Sequence, residues 1–336
     1  MATTKPLAGK IAVVAGATRG AGRGIACMLG EAGATVYCTG RSTRERPASS
    51  GFYAGRPETI DETAEMVTAH GGVGIPVRVD YLVEAEVEAL VARIRAEQGR
   101  LDVLVNDISE GEQHEWKAFW KLSLEKGFRM FERAVHTHLI VCRHAAPLMI
   151  EHRGGLIVEI TDGDTLDYRG TLFYDLIKVT VNRLAFFLAE QLQPHGIAAV
   201  AVSPGFMRTE AMLDHFGVTE ANWRDGTKKD PHFISSETPF FVGRAVAALA
   251  ADPNVMAKSG GVYASWTLSD EYGFTDVDGN RPHWGRYFEE VFHSQPPTGP
   301  PKTAFRWTIT KAPTVAAPKR KRGTRTAKHA PEKSGG

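Results

Sequence analysis

The chain has 336 residues, 43% of them hydrophobic, with 40 Lys/Arg against 39 Asp/Glu. That length and apolar content suffice for a sizeable buried core, which excludes a wholly disordered chain. No apolar run reaches the length of a bilayer-spanning helix, and a net charge of +1 excludes a polycation built throughout for nucleic acid.

Residues 11–25 read IAVVAGATRGAGRGI, an aliphatic strand-like run that breaks into Gly16, Gly20 and Gly22. Ile25, Cys27, Met28 and Leu29 then begin a helical pattern. Glycine lets the backbone approach a pyrophosphate closely, and the following helix offers unpaired N–H groups and its positive dipole end. The spacing GxxxGxG differs from the usual GxGxxG fingerprint, so the turn alone also fits any Gly-rich strand-to-helix connection. A second strand is predicted at 35–41. The polar, Pro/Gly-containing excursion after it could close over the adenosine end of a dinucleotide, and a helical segment follows at 62–70. A third strand, 74–80, ends in Asp80. The next helix carries Val87, Leu90, Val91 and Ile94 on one face, and a fourth strand spans 101–106.

Segment 109–130 places Trp116, Phe119, Trp120 and Phe128 just beyond a strand's C-terminal end, the edge where open α/β sheets bind ligands. These aromatics read either as an apolar lid over a substrate or as an amphipathic segment packed on the core. His136 and His138 lie two apart and face opposite sides of a helix, so no metal site is expected. Strand-like stretches at 155–160 and 197–205 bracket a long helical segment that ends near Gln193 and carries Tyr174 and Lys178 near its start. The i, i+4 spacing puts both on one face, where the cation favours ionisation of a phenol whose ordinary pKa is about 10. A second candidate lid, 208–238, contains Met212, Phe216, Trp223 and Phe233. Residues 266–293 read as an ordered extension to which the sequence assigns no role.

From Lys311 onward there are eight Lys/Arg against one Glu, with Pro and Gly interspersed. Such a composition cannot offset the entropy of ordering, and the tail is expected to be disordered. The expected organisation is a flexible N-terminus at 1–9, one α/β domain of Rossmann type at 10–295, and a Pro-rich, then basic, tail at 296–336. The run Lys319–Arg322 reads as a solvated tail ahead of a nucleic-acid contact. Cys27, Cys38 and Cys142 lack CxxC spacing and read as buried, reduced thiols. With no signal-peptide core at the N-terminus, a cytoplasmic protein without membrane contact is expected.

Taken in order, AGATRGAG (15–22), TGR (39–41), VD (79–80), LDVLVND (101–107), YDLIK (174–178) and SPGFMRTE (203–210) resemble the short-chain dehydrogenase/reductase family over roughly residues 8–265. The resemblance implies a doubly wound parallel sheet and an NADP(H)-dependent oxidoreductase that interconverts a carbonyl and an alcohol on a small or medium apolar substrate. It implies Tyr174 as proton donor or acceptor at the substrate oxygen, and Lys178 as the residue that lowers its pKa and bonds the nicotinamide ribose. Gly16, Thr18, Arg19, Gly20, Ala21 and Gly22 would form the phosphate turn, and Asp80 would meet the adenine amino group. Asn106 would brace the sheet near the adenosine ribose, and Pro204, Gly205 and Thr209 would contact the nicotinamide amide and pyrophosphate. Gly40 and Arg41 stand where a carboxylate would select NAD(H), so Arg41 and Arg19 are expected to pair with a 2′-phosphate. A homodimer or homotetramer is implied through the Tyr174 helix and its predecessor. Leu184, Phe187, Leu188 and Leu192 there could serve either the core or that interface.

Two departures bear on activity. The family serine, twelve or thirteen residues before the tyrosine, falls on Thr161-Asp162-Gly163. A threonine hydroxyl can donate a hydrogen bond to the substrate oxygen, whereas an ionised Asp162 repels a developing alkoxide. Thr161 is therefore the expected polarising group, with Asp162 as a proton relay or orienting group. His138 falls where the family often has a water-ordering asparagine, although a satisfied core histidine fits equally. The family's NNAG is here Asn106-Asp107-Ile108-Ser109. These departures support an alternative, an NADP(H)-binding sensor or scaffold with weakened catalysis.

Overall fold

Alternation along the strands decides the architecture. In β1 (Ile11–Ala15), Ile11, Val13 and Ala15 join one apolar layer and Ala12 and Val14 the other, so all five are buried and the run reads as continuously apolar. The elements that follow are α1 (Gly20–Glu31), β2 (Thr35–Gly40), α2 (Ile60–Ala69), β3 (Val73–Arg78), α3 (Glu84–Gln98) and β4 (Val103–Asn106). Next come α4 (Leu124–Phe131), α5 (Thr137–His152), β5 (Gly155–Ile160), α6 (Leu172–Leu192), β6 (Ile197–Ser203) and α7 (Glu210–Phe216). The remainder are α8 (Pro239–Ala251), β7 (Val262–Ala264), α9 (Ser265–Tyr272) and α10 (Trp284–Phe292). The computed structural model describes residues 5–49, 53–109, 115–164 and 170–292.

The seven strands form one parallel sheet in the order β3-β2-β1-β4-β5-β6-β7. Helices α1, α2 and α8 bury Ile25, Val67 and Val246 on one face, while α3, α5 and α6 bury Ile94, Leu148 and Leu188 on the other. The chain crosses the sheet between β3 and β4. A crevice therefore opens at the C-terminal ends of β1 and β4, where a doubly wound sheet takes its ligand.

Expected elements and structure differ mainly at their ends. β3 stops at Arg78 because its last partner in register is Gly40, so Val79 and Asp80 leave the ladder for the crevice. β4 starts at Val103, since the preceding Asp102 turns its carboxylate to accept the Ile11 N–H at 3.0 Å. Residues 5–9 depart from the expected flexible N-terminus: Leu7 is buried and its N–H donates to the Ala32 carbonyl at 2.8 Å. Leu184, Leu188 and Leu192 belong to the core, whereas Phe187 is 50% exposed. All three cysteines are buried as free thiols, and burial pushes the Cys27 thiol up to about 12. Among the described residues no helix is long and apolar enough to cross a membrane. Residues 1–4, positions 110–114 of the first expected lid, and the expected tail at 296–336 lie outside the described residues.

Candidate active site

The β1–α1 turn is a backbone cradle. Gly16 has φ +96°, and a Cβ there would sit 2.2 Å from the Asp107 carbonyl oxygen at the end of β4. The Gly16 and Ala17 amides donate to the Thr39 carbonyl, at 3.1 and 2.9 Å, which pins the turn to β2. Arg19, at the N-cap of α1, makes no side-chain cap. Instead the Gly20 N–H donates to Glu210 Oε2 of α7 at 2.9 Å.

A cleft of about 1300 Å³ runs from this turn across the strand ends. Of the sequence-predicted residues, Gly16, Thr18, Arg19, Gly20, Ala21, Arg41, Asp80, Thr161, Asp162, Tyr174, Lys178, Pro204, Gly205 and Thr209 line it. Gly22 lies inside α1, close behind the turn. Asn106 faces away from the cleft. It is fully buried and donates from Nδ2 to Glu159 Oε1 at 2.7 Å, while Asp107 and Ile108 line the cleft in its place. His138 is likewise a core histidine: Nδ1 lies 2.6 Å from Glu159 Oε2 and Nε2 lies 3.2 Å from the Ile108 carbonyl. It steadies the segment that borders the cleft and does not enter it.

The excursion after β2 forms the far wall. The Arg19 guanidinium stacks 4.3 Å above the Tyr53 ring, and its Nε donates to Glu58 Oε2 at 3.2 Å. Arg56 also grips Glu58, at 2.6 Å from Nη2, and reaches Asp214 of α7 at 2.9 Å from Nη1. Burial pushes the Glu58 carboxyl up, but the bonds from Arg56, the backbone and Arg19 outweigh it and hold the group below its ordinary value. Arg19 Nη2 is buried and has no partner among the described residues. Arg41 is exposed on the rim.

Opposite, Tyr174 and Lys178 occupy the first turns of α6. The Tyr174 hydroxyl donates to Asp162 Oδ2 at 2.5 Å, and the Lys178 ammonium lies 5.3 Å from the Tyr174 ring centroid. Thr161 is 2% exposed and its hydroxyl donates to the Lys178 carbonyl at 3.3 Å. The two candidates for the serine position thus separate: the hydroxyl is engaged with the helix backbone, and the carboxylate meets the tyrosine. Gly163 donates to Ser203 Oγ at 2.6 Å, which ties this turn to β6.

The two segments expected as lids contribute unequally to the lining of the cleft. Trp116, itself 74% exposed, lines the cleft, whereas Phe119, Trp120 and Phe128, 64%, 72% and 62% exposed, do not line it. In the second segment Met212 and His232 line the cleft, while Phe216, Trp223 and Phe233 form their own cluster, with Phe216 and Phe233 ring centroids 4.4 Å apart. The extension has a role that the sequence did not reveal. Trp284 reaches the cleft and packs edge-on against Phe206 at 5.7 Å, and Asp276 accepts the Thr238 N–H at 2.8 Å. Beneath the Pro204–Gly205 turn, buried Glu237 accepts from the Ser265 hydroxyl at 2.7 Å and from the Gly205 N–H. Desolvation pushes its carboxyl up to about 8.

The described residues thus combine a glycine cradle at the first strand end, a Tyr/Lys helix across the crevice and a seven-stranded parallel sheet. The short chain dehydrogenase family model matches residues 10–216. The chain belongs to the short-chain dehydrogenase family. It is 36% identical over 281 residues to human dehydrogenase/reductase SDR family member 1, covering 82% of this chain and 85% of that protein. It is 29% identical over 212 residues to a 7alpha-hydroxysteroid dehydrogenase of Clostridium sardiniense, covering 63% of this chain and 76% of the relative. A crystal structure of a short chain dehydrogenase from Mycobacterium thermoresistibile matches with a TM-score of 0.68 at 23% identity, covering 83% of this chain and 92% of that one, and supports the fold. Family membership makes the chain an oxidoreductase of the short-chain type with a nicotinamide dinucleotide cofactor and a small-molecule substrate.

Proposed function

We propose that this short-chain dehydrogenase interconverts a carbonyl and an alcohol on a small or medium apolar substrate, with NADP(H) as cofactor and a Tyr174–Asp162 pair moving the proton. The observation that carries the reading is the 2.5 Å bond from the Tyr174 hydroxyl to Asp162 beside the Lys178 ammonium.

The residues present fit a dinucleotide. The cradle at Gly16 is one a Cβ would fill, and buried Arg19 Nη2 is a donor without a partner among the described residues, as a 2′-phosphate requires. The Ala21 and Gly22 amides would hold the pyrophosphate, Arg19 and Arg41 the 2′-phosphate, and Asp80 the adenine amino group. Lys178 would bond the nicotinamide ribose, with Pro204, Gly205 and Thr209 at the amide. Asn106 supports this wall from behind through Glu159. The nicotinamide supplies or accepts the hydride.

In the oxidising direction the substrate hydroxyl gives its proton to Tyr174 Oη while the tyrosine's own proton passes to Asp162 Oδ2. In the reducing direction the two transfers reverse. The phenol keeps the carboxylate from facing a developing alkoxide directly, and Lys178 stabilises the negative charge that the pair shares. Thr161 acts on position: its bond to the Lys178 carbonyl fixes the start of α6, so that Tyr174 and Lys178 stay on one face. Trp116, Phe206, Met212 and Trp284 give the substrate side an apolar lining, in keeping with a relative named for a hydroxysteroid. Self-association and a cytoplasmic location belong to the same reading. Leu139, Leu176 and Phe187, 48%, 43% and 50% exposed on α5 and α6, are what a second copy would cover.

Side-by-side titration with NADPH and NADH, followed by a panel of linear and cyclic ketones read by nicotinamide absorbance, tests the proposal. NADPH should bind about tenfold tighter or better, the scale of one charge-assisted contact, and cyclic or long-chain ketones should be reduced. Equal or tighter NADH binding removes the NADP part. Tight NADPH binding without turnover on any compound transfers support to the sensor reading.

A further inference from the structure

The N-terminus of α1 carries a carboxylate that the proposed reaction does not use. Gly20 donates to Glu210 Oε2 at 2.9 Å, and Arg23 Nη1 lies 3.5 Å from Glu210 Oε1. The contact is long-range, from the first residue of α7 to the first residue of α1, and it replaces the cap that Arg19 does not provide. Thr209, the preceding residue, has its methyl carbon 3.5 Å from where a Gly20 Cβ would be, so this end of α7 lies directly over the glycine turn. The Ala21 and Gly22 amides have no partner among the described residues. A negative group bound at the first amide of a helix already satisfies part of its positive end.

We infer that Glu210 sets cofactor affinity, because its carboxylate shares the α1 N-terminus with the pyrophosphate and opposes it by like charge. The inference rests on the dinucleotide reading of this cleft. One turn along α7, Asp214 is held by Arg56 at 2.9 Å, so the helix keeps a second anchor to the cofactor wall when Glu210 is changed. With Glu210 ionised, the pyrophosphate is held less tightly than the glycine turn alone would hold it, and spent cofactor leaves faster. Glutamine in its place retains an oxygen that can accept the Gly20 N–H and removes the charge, and with it the ion pair to Arg23, which keeps its bond to Glu62 at 2.6 Å. Alanine removes the charge and frees the Gly20 amide for the pyrophosphate.

Calorimetric titration of the full chain with NADP⁺ and with 2′-AMP, for wild type, Glu210→Gln and Glu210→Ala, tests this. Both variants should bind NADP⁺ about tenfold tighter, the scale of one like charge removed at partly screened distance. Stopped-flow release of the cofactor should slow by a similar factor, and the gain should shrink as salt rises. Binding of 2′-AMP, which has no pyrophosphate, should stay within about twofold. NADP⁺ binding unchanged or weaker in both variants, with melting temperatures at wild-type level, overturns the inference while leaving the dinucleotide reading intact. A wild type that binds neither NADP⁺ nor NAD⁺ overturns both.

Discussion

The pyrophosphate cradle of the cleft is largely backbone, drawn from one short stretch between β1 and α1, whereas the substrate side is assembled from side chains that arrive from five separate places. Trp116 comes from the segment before α4, Asp162 from the turn after β5, Tyr174 from α6, His232 from the loop before α8 and Trp284 from the extension. The first wall depends on local conformation, which a few glycines specify within seven residues. The second depends on where each side chain points once the whole chain has packed. A single substitution should therefore disable the two walls in different ways: chemistry fails on one side, and folding and cofactor binding fail together on the other.

The largest effect belongs to the substrate wall. Tyr174→Phe should lower turnover by about a thousandfold, within the range of a positioned proton-transfer group, with NADPH binding held. Asp162→Asn should cost about a hundredfold, because the amide cannot receive the tyrosine's proton. Thr161→Val should cost less than about tenfold, since among the described residues that hydroxyl bonds the Lys178 carbonyl in the helix. Steady-state rates at saturating NADPH check the ranking. A larger loss for Thr161→Val than for Asp162→Asn would return the polarising role to the hydroxyl.

The divergence of Thr161 and Asp162 marks a limit of what the sequence encodes locally. The two are consecutive residues leaving a strand, so their side chains diverge, and counting back from Tyr174 cannot say which one faces it. Asn106 is likewise placed by its packing partners. It pairs in register with Glu159 across β4 and β5, so both side chains share one face, and α5 covers that face with His138. By contrast, the sheet and its helices were legible, because Val13 and Val14 or Leu90 and Ile94 declare their periods without reference to distant residues. Glu210, Trp284 and the bond of Glu58 to Arg19 left no local signal. Their partners lie 190 residues away at Gly20, far across the chain at Phe206 and 39 residues away at Arg19. The exposure of Phe119, Trp120 and Phe128 was equally hidden, since apolar character says nothing of direction.

The cofactor wall can be broken at Gly16. An alanine there would need φ near +96° with its Cβ 2.2 Å from the Asp107 carbonyl oxygen, so β1 and β4 must move apart. Gly16→Ala should lower stability by about 2 kcal/mol and weaken dinucleotide binding about tenfold or more, both readable from denaturant unfolding and titration. Retained stability together with retained NADPH affinity would mean that the cradle is not held by backbone contact.

The smallest expected effect sharpens the comparison by pH. Glu237 supports the Pro204–Gly205 turn from below, bonded to Ser265 at the start of α9, and burial raises its carboxyl to about 8. The unfolded chain gives up this proton near the ordinary value of 4.5, while the folded chain keeps it until about 8. Unfolding in that window releases a proton, so the stability associated with the group is complete below the ordinary value and is lost as pH rises through 8. Glu237→Gln keeps a neutral group of similar shape at every pH. Its melting temperature should match wild type near pH 5 and exceed it by a few degrees near pH 9, with the Gly16 wall unaffected. Melting curves that differ by a constant amount across that range would show that Glu237 keeps one charge state throughout, and a variant clearly more stable at pH 5 as well would make that state the ionised one. The nearby Arg208 guanidinium, 2% exposed and stacked 4.2 Å above Trp223, would then be the charge that holds it so.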